Sequence, residues 1–440
     1  MVVGPYQTFD RGDGKTVDLY LLRYAEDGHL LSTETERILK NSLDGVTEIY
    51  LFSHGWNNTF ADASSNYVKF VRGYQGQREQ FNLPTAADYQ PLLIGIIWPS
   101  TSFVLPWEKG PVIAAESPSE ASRTEEMLRL VTANVSQAAG GRLAELVDGS
   151  SGLDEDDART AAKIVIDGLP FADAEGVSSP PTVDELLEAW AALDGDAPVP
   201  TDPNDFGEAG ASLAAPRGAG YFNKFDPRNL LRMGTVWLMK DRAGIVGGHG
   251  VAPLVGHLLG NSQARLHLVG HSFGGRIVLS SVAMAPLPRP ARSMLLLEPA
   301  VNRWCFAEKL PSGGSGGYQP VLDRVELPIL STFSRYDVPL TQAFQLAVRG
   351  SSLGEPNIAA IGDTDRYGAL GGYGPAGLGD LSEVQPALKA GSARYTFAAG
   401  KEVIAVDGGV DLDGKPAIGS HSDVNNPTTW WALHCLTGPK

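Results

Sequence analysis

The stretch LHLVGHSFGG, residues 266–275, joins a short apolar strand to a helix through a Gly-x-Ser-x-Gly pattern. The apolar run 266–269 predicts a buried strand. The helix, predicted over residues 273–285, turns its apolar side chains inward and stops before Pro286. A strand that turns sharply into a helix at this pattern lifts the serine hydroxyl out of the chain, so Ser272 is predicted to be a nucleophile.

Two glycines make this turn sterically feasible. Gly270 and Gly274 lack the Cβ atoms that would clash where the strand and the helix cross. The bare pattern is weak, because the chain has 51 glycines and residues 313–317 and 350–354 also match it. Neither of these follows an apolar strand that feeds a helix with a buried face. Their central serines, Ser315 and Ser352, therefore serve as internal controls.

A nucleophilic serine needs a base, and two of the eight histidines follow Ser272 in the chain. In the strand–turn–helix arrangement the chain order is serine, acid, histidine. His434 lies in the apolar helical segment 430–435 and is predicted to be a packed structural residue. His421 lies in a polar loop after the last predicted strand, where a base must approach, so it is the predicted base.

Two carboxyl groups compete for the acid that orients this histidine. Asp337 comes just after a predicted strand at 329–334, and Glu298 directly follows another at 294–297. Asp337 is favoured, although it could be only a turn residue before Pro339, and Glu298 remains the alternative acid. Less well placed are Asp363, Asp365 and Asp407.

Backbone donors for an oxyanion are predicted in two places. The first is the N–H of Phe273, directly after the nucleophile. The second is the N–H of Trp56, in a loop that follows the predicted strand 48–53 and whose glycine lets the backbone approach a substrate; a plain turn is the alternative. Four further residues are expected near the site: His54, Gly55, Asn57 and His271.

The chain alternates short apolar runs with helical stretches, which predicts an α/β fold with a mostly parallel central sheet. Predicted strands cover residues 17–24, 48–53, 92–98, 265–269, 294–297, 329–334 and 403–406. Predicted helices include residues 58–74 and a terminal helix at 427–436.

One segment carries the whole excess of negative charge. The chain has a net charge of −16, and residues 116–210 alone hold 21 acidic and 5 basic side chains. The sequence therefore predicts a core made of residues 1–110 and 225–440 and a mainly helical acidic insert at 111–224. The insert is expected to act as a lid or cap over the catalytic face, or to decorate the far side of the sheet.

Composition narrows the function classes. An acidic chain without a basic patch does not favour nucleic acid as a partner. Two distant cysteines, Cys305 and Cys435, are too few for a disulfide framework or a zinc site, though one bridge stays open. No signal peptide and no apolar run of membrane-spanning length is evident, so a cytoplasmic protein without a transmembrane segment is expected, of unknown oligomeric state.

These motifs resemble the α/β-hydrolase superfamily, and within it serine esterase-like and lipase-like proteins. The resemblance rests on residues 52–56, 98–99, 268–275, 335–337 and 419–423, and the acidic insert matches nothing comparable. It implies hydrolysis of a small-molecule or lipid-like carboxylic ester, with no metal and no organic cofactor. A lipase or phospholipase with the same residues, or a catalytically idle binding protein on this fold, are the alternatives.

Overall fold

The computed structural model describes residues 3–11, 14–100, 120–133, 135–148, 152–169, 181–194, 225–311, 313–344 and 368–439. Its strands are β1 (Gln7–Asp10), β2 (Thr16–Arg23), β3 (Glu48–Ser53), β4 (Pro91–Ile97), β5 (Arg265–His271), β6 (Ser293–Leu297), β7 (Ile329–Phe333), β8 (Ser382–Pro386), β9 (Val403–Asp407), β10 (Asp411–Leu412) and β11 (Lys415–Pro416). Its α-helices are α1 (Thr33–Lys40), α2 (Phe60–Gln80), α3 (Glu120–Thr132), α4 (Gln137–Asp148), α5 (Glu155–Gly168), α6 (Val183–Asp194), α7 (Pro227–Ile245), α8 (Ala252–Asn261), α9 (Phe273–Met284), α10 (Leu370–Tyr373) and α11 (Pro427–Thr437). Ser352, Asp363, Asp365 and part of the insert lie outside the described residues.

A nine-stranded sheet forms the centre, in the order β1-β2-β4-β3-β5-β6-β7-β9-β8. Only β1 and β2 pair antiparallel, and every other neighbouring pair is parallel. The predicted α/β class with a mostly parallel central sheet is therefore confirmed. Strand β5, which leads into Ser272, lies between β3 and β6. The carboxyl ends of parallel strands meet at one edge, and ligand crevices of such sheets form there.

Both faces of the sheet are covered by helices, because the buried strands alternate their side chains between two apolar layers. In β3, Ile49 and Leu51 pack into one layer together with side chains of α7 and α9. Tyr50 and Phe52 pack into the other layer with side chains of α2 and α11. The turn after β5, which carries Ser272, is thus supported from both sides of the sheet.

The start of helix α2 differs from the prediction for a local reason. The helix was expected from residue 58, but its N-cap is Thr59 and it begins at Phe60. The Thr59 hydroxyl accepts a hydrogen bond from the Asp62 N–H, and the Asp62 carboxylate accepts one from the Thr59 N–H. This capping box fixes the helix start and leaves Asn57 and Asn58 in the preceding loop.

The described helices of the insert, α3 to α6, bury apolar side chains in the same cluster as the sheet. Helix α7 packs closely against α3 and α5, because a Cβ atom at Gly234 of α7 would lie 3.1 Å from Val131 and 3.3 Å from Val165. The insert is also tied at its end, where Leu153 and Phe225 exchange two backbone hydrogen bonds. Its helices therefore pack on α7, which in turn packs on α9.

One helical run of the described chain, Pro227–Asn261, is long and apolar enough to cross a membrane by length and composition. Half of its most apolar 18-residue stretch is buried inside the protein, and the core helix of a soluble protein meets the same criteria of length and composition. Within this fold the run packs on α9 and on the insert. In the sequence, glycines and charged residues interrupt this run, so it does not stand out as one long apolar stretch.

Candidate active site

Ser272 occupies the strained turn between β5 and α9. Its backbone has φ 55° and ψ −126°, a conformation that side-chain-bearing residues rarely adopt. The two flanking glycines are sterically required: a Cβ at Gly270 would lie 2.6 Å from the Gly274 carbonyl oxygen, and one at Gly274 would lie 2.2 Å from the Ser53 carbonyl oxygen. The Ser272 N–H donates to the Leu297 carbonyl at 3.1 Å, which anchors the turn to β6.

A chain of two hydrogen bonds links three of the residues singled out in the sequence. The Ser272 hydroxyl lies 2.9 Å from Nε2 of His421, and Nδ1 of His421 lies 2.7 Å from Oδ2 of Asp337. The carboxylate accepts from Nδ1–H, which leaves Nε2 as the acceptor for the serine hydroxyl. The three side chains come from positions up to 149 residues apart in the chain.

Asp337 is held in a buried position just beyond the end of β7. Its side chain is inaccessible to solvent, and its second oxygen, Oδ1, accepts a hydrogen bond from the Leu340 N–H at 2.9 Å. Its own N–H donates to the Ser334 carbonyl at 3.1 Å. Both carboxylate oxygens therefore have donors, which suits a group that stays ionised while buried.

Glu298, the alternative acid, lies in the same site but does not bond to His421. It follows β6 directly, is fully buried, and its backbone has φ 43°. Burial, followed by the neighbouring charges of Asp337 and Asp423, raises the pKa of the Glu298 carboxyl well above its ordinary value. Of the two acids left open by the sequence, the structure brings Asp337 to Nδ1 of His421.

His271, the residue before Ser272, supports the loop of His421. Its Nε2 donates to the His421 carbonyl oxygen at 2.9 Å, and the two rings lie 4.9 Å apart between centroids. Burial lowers the pKa of His271 to about 3, with smaller contributions from His421 and His54. His271 is therefore a neutral hydrogen-bond donor around neutral pH, with its proton on Nε2.

The loop after β3 lies directly against the serine. A Cβ atom at Gly55 would be 2.7 Å from Cβ of Ser272, so only glycine fits there. The Gly55 carbonyl accepts from Nδ1 of His54 at 2.8 Å and from the Asn58 amide at 3.2 Å. Because N–H and C=O of a trans peptide point in opposite directions, the Trp56 N–H faces away from these two donors.

The remaining near-site residues have structural partners. His54 receives the Trp98 N–H on Nε2 at 3.3 Å, and burial lowers its pKa to about 4, so both ring nitrogens are occupied and the ring is neutral. Asn57 adopts a left-handed conformation with φ 62° and donates its N–H to the Ser100 carbonyl at 2.8 Å. The Phe273 ring is buried and packs edge-on against Trp56.

Two alternatives from the sequence lie apart from this cluster. His434 is buried in α11, stacks on Trp431 and accepts a hydrogen bond from Arg394 on Nε2 at 3.2 Å. Burial lowers its pKa to about 4, with Arg394 contributing. Ser315 is exposed in a loop between β6 and β7. Both cysteines, Cys305 and Cys435, are buried and free, so no bridge joins them.

Three supporting features have no signal in the sequence. They are the His271 hydrogen bond to the His421 carbonyl, the Leu340 N–H at Asp337, and Asp423, whose carboxylate accepts the Gly419 N–H at 3.0 Å. Each joins segments through a backbone group, which no residue pattern reveals. The polar composition of residues 419–423 was the only hint that this loop is internally bonded.

Among the described residues, one group could offer ligands to a metal ion. This group consists of His271, Glu298 and His421, and each residue has one potential ligand atom within 4.8 Å of those of the other two. Both ring nitrogens of His421 are already bonded to Ser272 and Asp337. A metal at this position would therefore compete with the hydrogen-bond chain.

Comparison with known proteins adds no relative. No protein-family model, no curated protein and no solved structure matches this chain. The interpretation of the site accordingly depends on its own geometry.

Proposed function

We propose that this protein is a serine hydrolase that cleaves carboxylic esters through an acyl-enzyme on an α/β-hydrolase fold. The observation that carries the proposal is the hydrogen-bond chain from Ser272 through His421 to Asp337, with distances of 2.9 and 2.7 Å. A hydroxyl bonded to a base that is itself oriented by a buried carboxylate is the arrangement that nucleophilic acyl transfer requires.

The proposed reaction has two steps. Ser272 Oγ attacks the ester carbonyl carbon while Nε2 of His421 takes the hydroxyl proton, and His421 then gives this proton to the departing alcohol as the C–O bond breaks. Water attacks the resulting acyl-serine, and its proton passes through His421 back to Ser272 as the carboxylic acid leaves. Asp337 keeps Nδ1 protonated and stabilises the imidazolium that forms in each step.

The oxyanion of each tetrahedral intermediate is proposed to be bound by the N–H groups of Phe273 and Trp56. Phe273 is the first residue of α9, and the first N–H groups of a helix have no acceptor within the helix. Trp56 follows Gly55, whose backbone lies against Ser272. Preorganised donors of this kind contribute about 3–4 kcal/mol each to transition-state stabilisation.

The position of Ser272 in the fold supports the same proposal. The residue follows a central strand at the carboxyl edge of a mostly parallel sheet, where Glu298 and Asp337 follow the next two strands, β6 and β7. The loop of His421 comes after β9 and β11. The chain order serine, acid, histidine is that of the α/β-hydrolase resemblance.

A fluorophosphonate probe tests the proposal directly, because it reacts only with a serine hydroxyl that is activated by a base. We expect covalent labelling of the wild-type protein at Ser272, identified by peptide mass spectrometry, and none of the Ser272→Ala variant. Folded protein that does not react would favour a catalytically idle binding protein on the same fold.

A panel of p-nitrophenyl esters of increasing acyl length then distinguishes the enzyme classes. Activity confined to short acyl chains supports a carboxylesterase. Activity that increases with chain length and at a lipid–water interface supports a lipase. The strongly acidic chain disfavours anionic lipid surfaces, which favours a dissolved or neutral ester as substrate.

A further inference from the structure

Glu298 is a buried carboxyl group that the hydrogen-bond chain does not use. Among the described residues, neither of its side-chain oxygens has a hydrogen-bond partner, although the residue is inaccessible to solvent. Burying a polar group without a partner costs about 1–3 kcal/mol, so such a group requires an explanation. Favourable backbone geometry does not offset this cost, because Glu298 has φ 43°, a conformation unfavourable for a residue with a side chain.

The surroundings force this conformation on Glu298. Its N–H donates to Thr332 Oγ1 at 3.0 Å. On the other side, α10 packs so closely that a Cβ at Gly371 would lie 2.3 Å from the carbonyl carbon of Glu298. Strained backbone that neighbouring elements hold in place occurs at sites where one side chain must be aimed.

The side chain is aimed at the imidazole groups of the site. One Glu298 oxygen lies within 4.8 Å of a ring nitrogen of His271 and of one of His421. The charged groups that act on it are Asp337, which follows β7, and Asp423, in the loop that carries His421. Two imidazoles and two carboxylates therefore act on Glu298, and they come from the turn after β5, from the segment after β7 and from the loop that carries His421.

Two carboxyl groups this close to one imidazole cannot both carry charge at low cost in a buried site. Asp337 has hydrogen-bond donors on both oxygens, whereas Glu298 has none, so the negative charge belongs on Asp337. Burial and repulsion by Asp337 raise the pKa of Glu298, which agrees with a neutral side chain. Removal of the Asp337 charge would relieve that repulsion.

We infer that Glu298 is a positioning residue, a second carboxyl group beside His421. It stays neutral while Asp337 carries the negative charge, and it stabilises the His421 imidazolium when the charge of Asp337 is absent. The inference rests on the proposed function, because it assigns His421 the role of base. It predicts that the effects of Glu298 and Asp337 on activity are coupled. Coupling of this kind is measured by a double-mutant cycle.

The cycle compares wild type, Glu298→Gln, Asp337→Ala and the double variant, with the exposed Glu308→Gln as a matched control. The measurement is kcat/KM for p-nitrophenyl acetate from about pH 6 to about pH 9. We expect Asp337→Ala to keep residual activity, because an ionised Glu298 stabilises the His421 imidazolium in place of Asp337. Activity in both variants rises as the His421 base loses its own proton, so the ratio of their activities is the informative quantity. Addition of Glu298→Gln should lower kcat/KM at high pH at least about tenfold further, and less at low pH.

The inference is wrong if the double variant has the same kcat/KM as Asp337→Ala at every pH. It is also wrong if Glu308→Gln, added to Asp337→Ala, lowers the activity as much as Glu298→Gln does. If Asp337→Ala fails to fold by circular dichroism, the isosteric Asp337→Asn replaces it in the cycle with the same two expectations.

A second measurement does not need enzyme activity. The titration of the His421 ring is followed by NMR in Asp337→Ala with and without Glu298→Gln. A carboxylate about 4–6 Å from an imidazole raises its titration midpoint by at least about one pH unit, so the double variant should titrate that much lower. Equal midpoints would overturn the role of Glu298. A difference in midpoint in a protein that no fluorophosphonate labels would overturn only the proposed function.

Discussion

His271 donates a hydrogen bond from Nε2 to the backbone carbonyl of His421 at 2.9 Å. The bond joins the residue before Ser272 to a loop that lies 150 positions later in the chain. Because Ser272 sits in a turn anchored to β6, the bond fixes the His421 loop relative to the serine. The geometry of the proposed nucleophile and base thus depends on a side chain that takes no proton itself.

We therefore predict that His271→Ala lowers kcat by about 10–100-fold, since displacing a reacting group by about 1 Å can cost 10²-fold in rate. His271→Gln places an amide N–H near the position of Nε2 and should keep activity within about threefold of wild type. Steady-state kinetics on a p-nitrophenyl ester, with circular dichroism to check folding, measure both. Equal losses in the two variants would show that the hydrogen bond is not what positions His421.

Substitution of the serine tests the meaning of the Gly-x-Ser-x-Gly pattern. Ser272→Ala should reduce ester hydrolysis by at least about 10³-fold with unchanged circular dichroism, because members of such a chain act as a unit. Ser315→Ala alters a matching pattern in an exposed loop and should leave activity near wild type. Full activity in folded Ser272→Ala would exclude the proposed mechanism.

Substitution of the two histidines that follow Ser272 should affect different properties, activity in one case and stability in the other. His421→Ala should lose at least about 10³-fold in kcat at nearly unchanged melting temperature. His434→Ala should instead lower the melting temperature, because it removes the ring that stacks on Trp431 and accepts from Arg394. Kinetics and thermal unfolding on the same preparations check both, and the reverse ranking would mean that the base is His434.

Acid should destabilise the fold through His54 and His271. Burial lowers their pKa values to about 4 and about 3, whereas the unfolded chain titrates near 6.5. Between these values the unfolded state binds more protons, so stability is complete above about pH 6.5 and falls as the pH decreases. The free energy of unfolding should drop by up to roughly 1.4 kcal/mol per pH unit for each histidine.

Denaturant unfolding at about pH 6.5 and at about pH 4.5 measures this effect. His271→Gln has no group that titrates in this range, so its stability should fall less steeply than that of wild type, by up to roughly 1.4 kcal/mol per pH unit. Glu298 works in the opposite direction, since its pKa is raised and its contribution is lost as the pH rises. An unchanged slope in His271→Gln would mean that His271 is protonated in the folded protein.

The sequence predicted the parts of the site that local patterns encode. The strand before Ser272 is an apolar run, and the turn needs Gly270 and Gly274, so both are visible in the residues. Chain order and the preceding strands indicate His421 and Asp337. These are consequences of parallel topology, which brings the carboxyl ends of distant strands to one edge.

Features that depend on side-chain direction could not be predicted. Asp337 and Glu298 both follow strands, and only the left-handed backbone of Glu298 and the N–H of Leu340 decide which carboxylate meets His421. The edge strands β1 and β8 were missed for another reason. They are short, partly exposed and mainly polar, so they have no apolar run to mark them.

The prediction that remains for the insert is that it limits the size of the substrate. Its described helices pack on α7, and α7 packs on α9, which begins at the residue after Ser272. Arg242 of α7 also donates to the Pro99 carbonyl at 2.9 Å, close to the point where the insert leaves the sheet. The described helices of the insert are therefore attached on the sheet face that bears α9.

A photo-crosslinking probe tests whether the insert covers the serine. The probe is a fluorophosphonate with a diazirine at the end of a chain of roughly 10–12 Å, the reach of a small ligand pocket. After the probe has reacted with Ser272, illumination should crosslink it to peptides from residues 100–225, because a lid must lie within that distance of the bound acyl group. Ser272→Ala treated in the same way reveals crosslinks that do not depend on attachment. If all attachment-dependent crosslinks fall in residues 1–99 and 226–440, the insert lies away from the catalytic edge, and acyl-chain selectivity must come from the core itself.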